Sequence, residues 1–270
     1  MVPRCLTIAT SDSGGGAGIQ ADLKAFAALG CHGTSAIVAL TAQNTTRVTA
    51  IHEAPPAFVR AQLDVVFSDI GVDAAKTGML FSARIVEAVA GFLAEHRVAL
   101  VVDPVMVSAA GAKLLQDDAV SVLVEELFPL ATVVTPNLHE ACALLGIPYE
   151  EDADRRALAE GLHELGAPAV VVTGGHGSEP LDWLFDGERH VAIPVERYDD
   201  GATHGAGCTH SASLAALLAR GETLEAAARG AAAIASEAVL HGLAELGAGS
   251  GPVDVFDLEA LGARGVRAPR

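Results

Sequence analysis

A glycine-rich turn that ends in a cysteine, Thr203-His204-Gly205-Ala206-Gly207-Cys208, runs directly into an apolar, alanine-rich segment from Ser211 to Leu218. The free N–H groups at the start of such a helix, together with the positive end of its dipole, attract an anion. The same dipole lowers the pKa of a thiol, although a cysteine at a helix start is also a common packing residue. The turn therefore predicts an anion site beside a reactive group, in which Cys208 is a nucleophile or a general base.

A second glycine-rich segment, Asp12 to Asp22, follows the first predicted strand and opens the first predicted helix. Glycines there let the backbone approach a ligand closely. Read from Gly16, the dinucleotide pattern G-x-G-x-x-G/A is met, but the acidic residue about 20 positions further on that binds a ribose is missing. The segment is thus either a ligand-binding loop of another kind or a tight strand-to-helix turn without a ligand.

Polar groups also follow two further apolar strands. Asp103 ends the run Ala99 to Val102, and Asn137 and Glu140 follow the run Thr132 to Thr135. Each has a local explanation, since Asp103 suits a turn and Asn137 with Glu140 suits a helix capping box. Two carboxylates from neighbouring strand ends also match the needs of hydrated Mg²⁺, which takes one or two protein carboxylates.

A third strand-end loop, Gly174-Gly175-His176, follows the apolar run Ala169 to Thr173. Its glycines again favour close approach of the backbone to a ligand. No second histidine stands at a zinc-ligand spacing from His176, which disfavours a zinc enzyme.

The elements that position these groups alternate between strand-like and helical patterns. The predicted strands are Cys5 to Ala9, Ser35 to Thr41, Ala99 to Val102, Thr132 to Thr135 and Ala169 to Thr173. The predicted helices between and after them are Gln20 to Leu29, Ala57 to Phe67, Arg84 to Glu95, Ala119 to Leu127, His139 to Leu145, Arg155 to Leu165, Ala206 to Ala219 and Leu224 to Leu246. Apolar strands without polar alternation are typical of a parallel sheet covered on both faces, which predicts a three-layer α/β/α fold with a mostly parallel central sheet.

Two features refine that architecture. Two β-type runs flank Asp186-Gly187 within Trp183 to Ile193, which predicts a small antiparallel hairpin at an edge of the sheet. No linker or repeat interrupts the chain, so we expect one domain over residues 1–270, with a frayed tail at 264–270.

Composition excludes several classes of partner. The chain has 17 Lys and Arg residues against 34 Asp and Glu residues, a formal net charge of −17. Such a surface repels nucleic acid and anionic membranes. The four cysteines form no C-x-x-C pair and no signal peptide precedes them, so we expect a cytoplasmic protein, and no apolar run is long enough to cross a bilayer.

Taken together, nine stretches resemble the ribokinase-like superfamily and, within it, the hydroxymethylpyrimidine/phosphomethylpyrimidine kinases of thiamine biosynthesis. They are DSGGGAGIQADLKAF (Asp12–Phe26), TAQNT (Thr41–Thr45), FVRAQLDVVFSD (Phe58–Asp69), KTGML (Lys76–Leu80), DPVM (Asp103–Met106), TPNLHE (Thr135–Glu140), GGH (Gly174–His176), DWLF (Asp182–Phe185) and THGAGC (Thr203–Cys208). The resemblance covers nearly the whole chain. It implies the ribokinase-like fold and ATP-dependent phosphorylation of the pyrimidine's hydroxymethyl group, followed by a second transfer onto the resulting phosphate.

The resemblance also implies a role for individual residues. The pyrimidine would be held at the first glycine-rich segment by Asp22, Gln43, Met79, Val105, Gly15 and Gly16. ATP would lie beside Asn137, Glu140, Thr173, Gly175 and His204, with Mg²⁺ organised by Asp103 and Glu140. The N–H groups of Gly205, Ala206, Gly207 and Cys208, which we term the phosphoryl cradle, would hold the transferring group while Cys208 takes the hydroxyl proton.

Two residues depart from the pattern of these kinases. Thr173 stands where they usually carry a lysine that reaches the ATP phosphates, and Ala206 stands where they usually carry a threonine. Two alternatives therefore stay open: a pyridoxal kinase of the same superfamily, and a catalytically weak pyrimidine-binding or regulatory protein. The resemblance also implies a homodimer.

Overall fold

A nine-stranded sheet forms the centre of the computed structural model, which describes residues 1–107, 111, 114–174, 180–198 and 202–263. The strands are β1 (Arg4–Asp12), β2 (His32–Gln43), β3 (Val48–Glu53), β4 (Ala74–Thr77), β5 (Ala99–Val102), β6 (Val133–Val134), β7 (Val170–Val172), β8 (Leu181–Phe185) and β9 (His190–Pro194). Their order across the sheet is β3-β2-β1-β4-β5-β6-β7-β8-β9, and every pairing from β2 to β7 is parallel.

Helices connect the strands and cover both faces. They are α1 (Gly18–Ala28), α2 (Pro56–Val65), α3 (Ala83–Glu95), α4 (Asp117–Val122), α5 (Leu138–Leu145), α6 (Arg155–Glu164), α7 (Ala206–Ala219), α8 (Leu224–Leu240) and α9 (Leu258–Ala263). A π-helical turn continues α2 over Val66–Ile70, and another continues α4 over Leu123–Leu127.

Strand alternation divides the core between the two faces. Val102 packs in the core beneath helices α2 to α6, whereas its neighbour Val101 packs beneath α1, α7 and α8. Both valines are fully buried, as expected for a strand covered on each side. The predicted three-layer α/β/α architecture with a mostly parallel sheet is therefore confirmed.

Both edges of the sheet are antiparallel. The predicted hairpin is present as β8 and β9, which pair antiparallel beyond β7. At the opposite edge, β3 pairs antiparallel with β2, a strand that the sequence patterns did not predict. Strand β4 was also missed, because Ala-Ala-Lys-Thr contains residues that are poor or indifferent strand formers.

The predicted end of the last long helix was wrong. Helix α8 stops at Leu240 instead of Leu246, because Gly242 lies against Ala202 and the N–H of Leu243 turns to the carbonyl oxygen of Pro252. Gly247, with φ +90, continues the turn in a backbone conformation that favours glycine. The expected frayed tail, 264–270, lies outside the described residues, and the single domain stays a prediction.

Across the described ranges, no helix is long and apolar enough to span a membrane.

Candidate active site

The two glycine-rich turns meet above the carboxyl end of the parallel strands, where open α/β sheets bind their ligands. The first glycine turn, Asp12–Gly18, connects β1 to α1. The second glycine turn, Thr203–Cys208, leads into α7. Strands β4, β5 and β6 end beneath them and contribute Lys76, Asp103 and Thr135.

The carboxylate of Asp12 organises the first glycine turn. It accepts hydrogen bonds from the N–H groups of Gly14 (2.7 Å), Gly16 (3.1 Å) and Ala17 (2.9 Å). The buried imidazole of His204 lies 3.1 Å from the same carboxylate. These contacts, and that of His204 above all, hold the pKa of Asp12 below its usual range against the opposing effect of burial.

Close backbone contact joins the two turns. A Cβ on Gly205 would overlap the carbonyl oxygen of Gly16, and Gly205 has φ +86. A Cβ on Gly16 would overlap the imidazole of His204. Glycine at both positions is therefore required for the turns to touch.

These contacts correct two predicted roles. His204 was expected beside ATP, but its ring is 6% exposed and faces Asp12. Gly16 was expected to contact the pyrimidine, but it is buried against His204 and its N–H is bound by Asp12. Gly15 fits its predicted place better, because a Cβ there would meet no atom within 4 Å.

The start of α7 offers the predicted phosphoryl cradle. The first N–H groups of a helix have no partner within it, and Gly207 is exposed, with open space beside its Cα. The N–H of Ala206 donates to the carbonyl oxygen of Thr203 (3.1 Å), so this amide is already bonded. The predicted cradle is therefore reduced to the N–H groups of Gly207 and Cys208, and its role stays a prediction.

Cys208 lies in the first turn of α7, directly after Gly207. Burial nevertheless raises the pKa of the thiol to about 12, a direction to which the carboxylates of Asp22 and Asp103 add and which Lys76 opposes. The helix dipole therefore does not produce the low pKa that the sequence suggested, and the thiol is protonated at neutral pH.

Lys76 is a site residue that the sequence patterns did not single out. It is fully buried, and its Nζ lies 2.9 and 3.1 Å from the two carboxylate oxygens of Asp22. It also lies 3.5 Å from Oδ2 of Asp103. The one signal in the sequence was a lysine among the small and apolar residues of β4. A lysine buried there requires acidic partners, so it would have indicated a buried charge network.

The same geometry corrects the predicted role of Asp22. Its side chain has no exposed surface, and Thr7 donates to Oδ2 at 2.6 Å while Lys76 occupies both oxygens. With all of these contacts in place, Asp22 lies beneath the site and supports Lys76 instead of contacting a pyrimidine.

Asp103 and Glu140 lie close enough for their charges to repel each other. The Oγ of Ser211 on α7 donates to Oδ2 of Asp103 at 2.7 Å. Glu140 forms the capping box of α5 with Asn137, at 2.9 and 3.0 Å. Burial, and then the charge of Asp103, raise the pKa of Glu140 to about 8.

This pair fits Mg²⁺ in its donor chemistry. The negative charges of Asp103 and Glu140 repel each other and are not fully balanced by a positive group. Thr135 adds a buried hydroxyl for which the described residues supply no hydrogen-bond partner. No group of three or more His, Cys, Asp or Glu ligands exists in the described part of the chain. A hydrated Mg²⁺ needs no such group, because it keeps several waters.

Of the remaining predicted pyrimidine residues, Gln43 contacts the first glycine turn and Met79 contacts the end of β1. The backbone N–H of Gln43 and its carbonyl oxygen both bond the hydroxyl of Ser13 at 2.8 Å, and its side chain is half-buried. The carbonyl oxygen of Met79 accepts from Thr10 at 3.1 Å, and Val105 is partly exposed beyond Asp103.

Thr173 is brought beside Asn137. The two residues form an isolated parallel bridge, and the N–H of Thr173 donates to the carbonyl oxygen of Pro136 at 2.9 Å. The following N–H, that of Gly174, donates to Asp182 at 2.8 Å. Gly175, predicted beside ATP, lies outside the described residues.

Comparison with known proteins adds to this geometry. A family model described as phosphomethylpyrimidine kinase matches residues 12–254. The chain is 46% identical to the hydroxymethylpyrimidine/phosphomethylpyrimidine kinase of Synechococcus elongatus, with 94% of this chain and 98% of that protein covered. It is 51% identical to the thiamine biosynthesis bifunctional protein ThiED of Geobacter sulfurreducens over 92% of its length, but spans only about half of that protein (51%).

Solved structures resemble the fold closely. The ADP complex of Bacillus subtilis pyridoxal kinase matches with a TM-score of 0.85 and 37% identity, covering 96% of this chain and 99% of that one. The phosphomethylpyrimidine kinase of Clostridium difficile matches with a TM-score of 0.76 and 36% identity, covering 89% and 98%.

The contact between the turns predicts that alanine substitution destabilises the protein strongly at one glycine of the second turn and only slightly at another. Gly205→Ala should destabilise the protein by at least about 2 kcal/mol, because alanine disfavours φ +86 and its Cβ overlaps Gly16. Gly207→Ala should change stability by less than about 1 kcal/mol, since its Cβ meets open space. Urea unfolding measures both, and equal effects would contradict the observed contact.

The raised pKa of Glu140 predicts how stability depends on pH. The unfolded side chain ionises near 4.5 and the folded one near 8, so the folded protein loses stability as pH rises through this interval. Glu140→Gln keeps the capping box and removes the charge, so without Mg²⁺ its melting temperature should exceed that of wild type increasingly from pH 5 to pH 8.5. The exposed control Glu126→Gln should show no such trend, and a constant difference for Glu140→Gln would show that its pKa is not raised.

The raised pKa of Cys208 predicts slow alkylation. At pH 7 roughly one thiol in 100,000 is ionised, so iodoacetamide should modify Cys208 about tenfold faster for each pH unit between 7 and 9. Mass spectrometry follows the modified peptide, and Cys208→Ser is the control because Cys5, Cys31 and Cys142 are buried. A rate that levels off by pH 8 would show instead that the dipole lowers the pKa.

Proposed function

The chain belongs to the phosphomethylpyrimidine kinase family, and we propose that it transfers phosphoryl groups from ATP to 4-amino-5-hydroxymethyl-2-methylpyrimidine and then to its monophosphate. The observation that supports this proposal is the contact between the two glycine turns, beside which the helix α7 begins with Gly207 exposed to open space. Identity of 46% across nearly all of both chains supports the same activity.

The pyrimidine would bind at the first glycine turn. Gln43 carries amide donor and acceptor groups that suit the aminopyrimidine edge, and Met79 and Val105 offer apolar contacts to the ring. Gly15 leaves the backbone open at this point. The ring would thereby present its hydroxymethyl group toward Cys208 across the contact between the turns.

The transferring phosphoryl group would be held at the start of α7. The N–H groups of Gly207 and Cys208 point outward from the helix end, and each well-placed donor is worth about 3 kcal/mol in the transition state. Asp103 and Glu140 would hold Mg²⁺, which supplies positive charge to the phosphate oxygens. The ATP phosphates would lie over Asn137 and Thr173, at the ends of β6 and β7.

Cys208 would take the hydroxyl proton late in the reaction. Because its pKa is about 12, the thiol is protonated in the resting enzyme and cannot act as a strong base beforehand. A loose phosphoryl-transfer transition state needs little deprotonation of the attacking oxygen before the new bond forms. We propose that the Cys208 thiol first orients the hydroxyl group. As the oxygen becomes acidic, its proton passes to the Cys208 sulfur while the S–H proton moves to an oxygen of the transferred phosphoryl group, so that Cys208 relays one proton and ends as a neutral thiol.

Pyridoxal is the second candidate substrate. Several similar structures are pyridoxal kinases, including that of Staphylococcus aureus in complex with AMP-PCP and pyridoxal, at a TM-score of 0.86 and 32% identity. Pyridoxal also presents a hydroxymethyl group on a six-membered nitrogen ring. The family match and the higher identities to pyrimidine kinases favour the pyrimidine.

Two further properties belong to this proposal. We propose a cytoplasmic protein, since its four cysteines are free and a reducing compartment keeps them so. We also propose a homodimer, for which the antiparallel edge at β2 and β3 is suited because it leaves strand β3 unpaired on one side and half exposes Leu40.

A coupled ADP-release assay tests the activity directly. We expect turnover with the hydroxymethylpyrimidine and with its monophosphate, each dependent on Mg²⁺, and a lower kcat/KM with pyridoxal. A higher kcat/KM with pyridoxal would make the protein a pyridoxal kinase. Measurable pyrimidine binding without ADP release would show a binding protein without kinase activity.

Removal of the thiol tests its role in the same assay. Cys208→Ala should lower kcat for the first transfer by about 100-fold or more, because general acid–base groups contribute that much. Calorimetric titration should show the pyrimidine dissociation constant changed by less than about threefold, since the ring contacts remain. Wild-type turnover in this variant would exclude Cys208 from proton transfer.

A further inference from the structure

Lys76 stands out among the buried charges because the pyrimidine and ATP chemistry proposed above makes no use of it. It is one of three lysines in the chain and has no exposed surface. Lysine is rarely fully buried unless it is paired. Gly78 lies against the ammonium group, since a Cβ there would be 3.0 Å from Nζ.

The contacts of Lys76 connect four elements beneath Cys208. Nζ binds Asp22 on α1 at 2.9 and 3.1 Å and lies 3.5 Å from Asp103 beyond β5. The same Oδ2 of Asp103 accepts a hydrogen bond from Ser211 on α7, whose Oγ also contacts the carbonyl oxygens of Gly207 and Cys208. The ammonium group is thus linked through Asp103 and Ser211 to the backbone of Gly207 and Cys208.

The ammonium group of Lys76 interacts with two carboxylates, which is one more than a structural ion pair needs. A pair of Lys76 and Asp22 alone would be neutral and complete, yet Asp103 adds a second carboxylate within reach of the same ammonium group. Burial opposes the charge of Lys76, but the carboxylates of Asp22 and Asp103 outweigh it and raise the pKa of Lys76. Lys76 is therefore a permanent cation beneath the site.

We propose that Lys76 is a positioning residue for phosphoryl transfer, whose ammonium group fixes the Asp103 carboxylate relative to Cys208 and the start of α7. This inference rests on the proposed kinase function. Asp22 serves as the counter-ion that keeps the ammonium group in place. A carboxylate displaced by about 1 Å at a transfer site costs on the order of 100-fold in rate.

Two variants separate positioning from simple stabilisation. Lys76→Met leaves Asp22 as an uncompensated buried charge and should unfold at a lower temperature. The double variant Asp22→Asn with Lys76→Met removes both charges at nearly constant volume, so its melting temperature should return toward that of wild type. The exposed control Arg229→Met changes net charge as Lys76→Met does and should match wild type in activity.

We expect kcat to stay low in the double variant even though its stability is restored. In the folded double variant, kcat should stay about 100-fold below wild type, while KM for the pyrimidine changes less than about threefold. A crystal structure of the double variant should show the Asp103 carboxylate displaced from its contact with Ser211. Recovery of kcat together with stability would overturn the proposal and leave Lys76 a structural residue.

A milder variant tests the same link without a buried charge. Ser211→Ala removes the second restraint on Asp103 in a helix that tolerates alanine, and should lower kcat about tenfold with little change in melting temperature. Full activity in Ser211→Ala would contradict a network that positions Asp103. Absence of kinase activity in wild type would instead refute the proposed function, which distinguishes the two failures.

Discussion

Contact between the two glycine turns is the constraint on which the rest of the site depends. Gly16 and Gly205 have no side chains where the turns touch, and the side chains of Asp12 and His204 join them by a buried contact of 3.1 Å. Because the turns precede helices that are far apart in the sequence, this contact brings the proposed pyrimidine site and the N-terminus of α7 side by side. A β-carbon at either glycine would separate the two halves of the site.

Beneath the turns, the protein buries charged side chains at positions where apolar side chains would cost less free energy. Asp22, Lys76, Asp103 and Glu140 are all buried within a chain whose net charge is −17. Burial of charge is costly unless it is paired, and the raised pKa of Glu140 shows that the pairing is incomplete. This excess of negative charge suits the proposed Mg²⁺ site, whose cation would let an acidic protein bind phosphate groups locally.

Local patterns predicted the layers, the parallel order and the edge hairpin, because apolar runs and an Asp-Gly turn act over a few residues. They missed β4, whose alanines and lysine are buried only by tertiary contacts, and the early end of α8, which depends on Gly242 packing against Ala202. Motifs located the turns and Asp103. They did not reveal that His204 meets Asp12 or that Lys76 meets Asp22, because these partners are 192 and 54 residues apart and no local rule connects them.

A crystal structure of the complex with the hydroxymethylpyrimidine and a non-hydrolysable ATP analogue would show directly where the two substrates meet. We predict that the ring lies at the first glycine turn beside Gln43 and Met79, with its hydroxymethyl oxygen within hydrogen-bond distance of the Cys208 sulfur. The γ-phosphate should contact the N–H groups of Gly207 and Cys208. A pyrimidine bound away from the first turn, or a γ-phosphate that does not contact the start of α7, would contradict it.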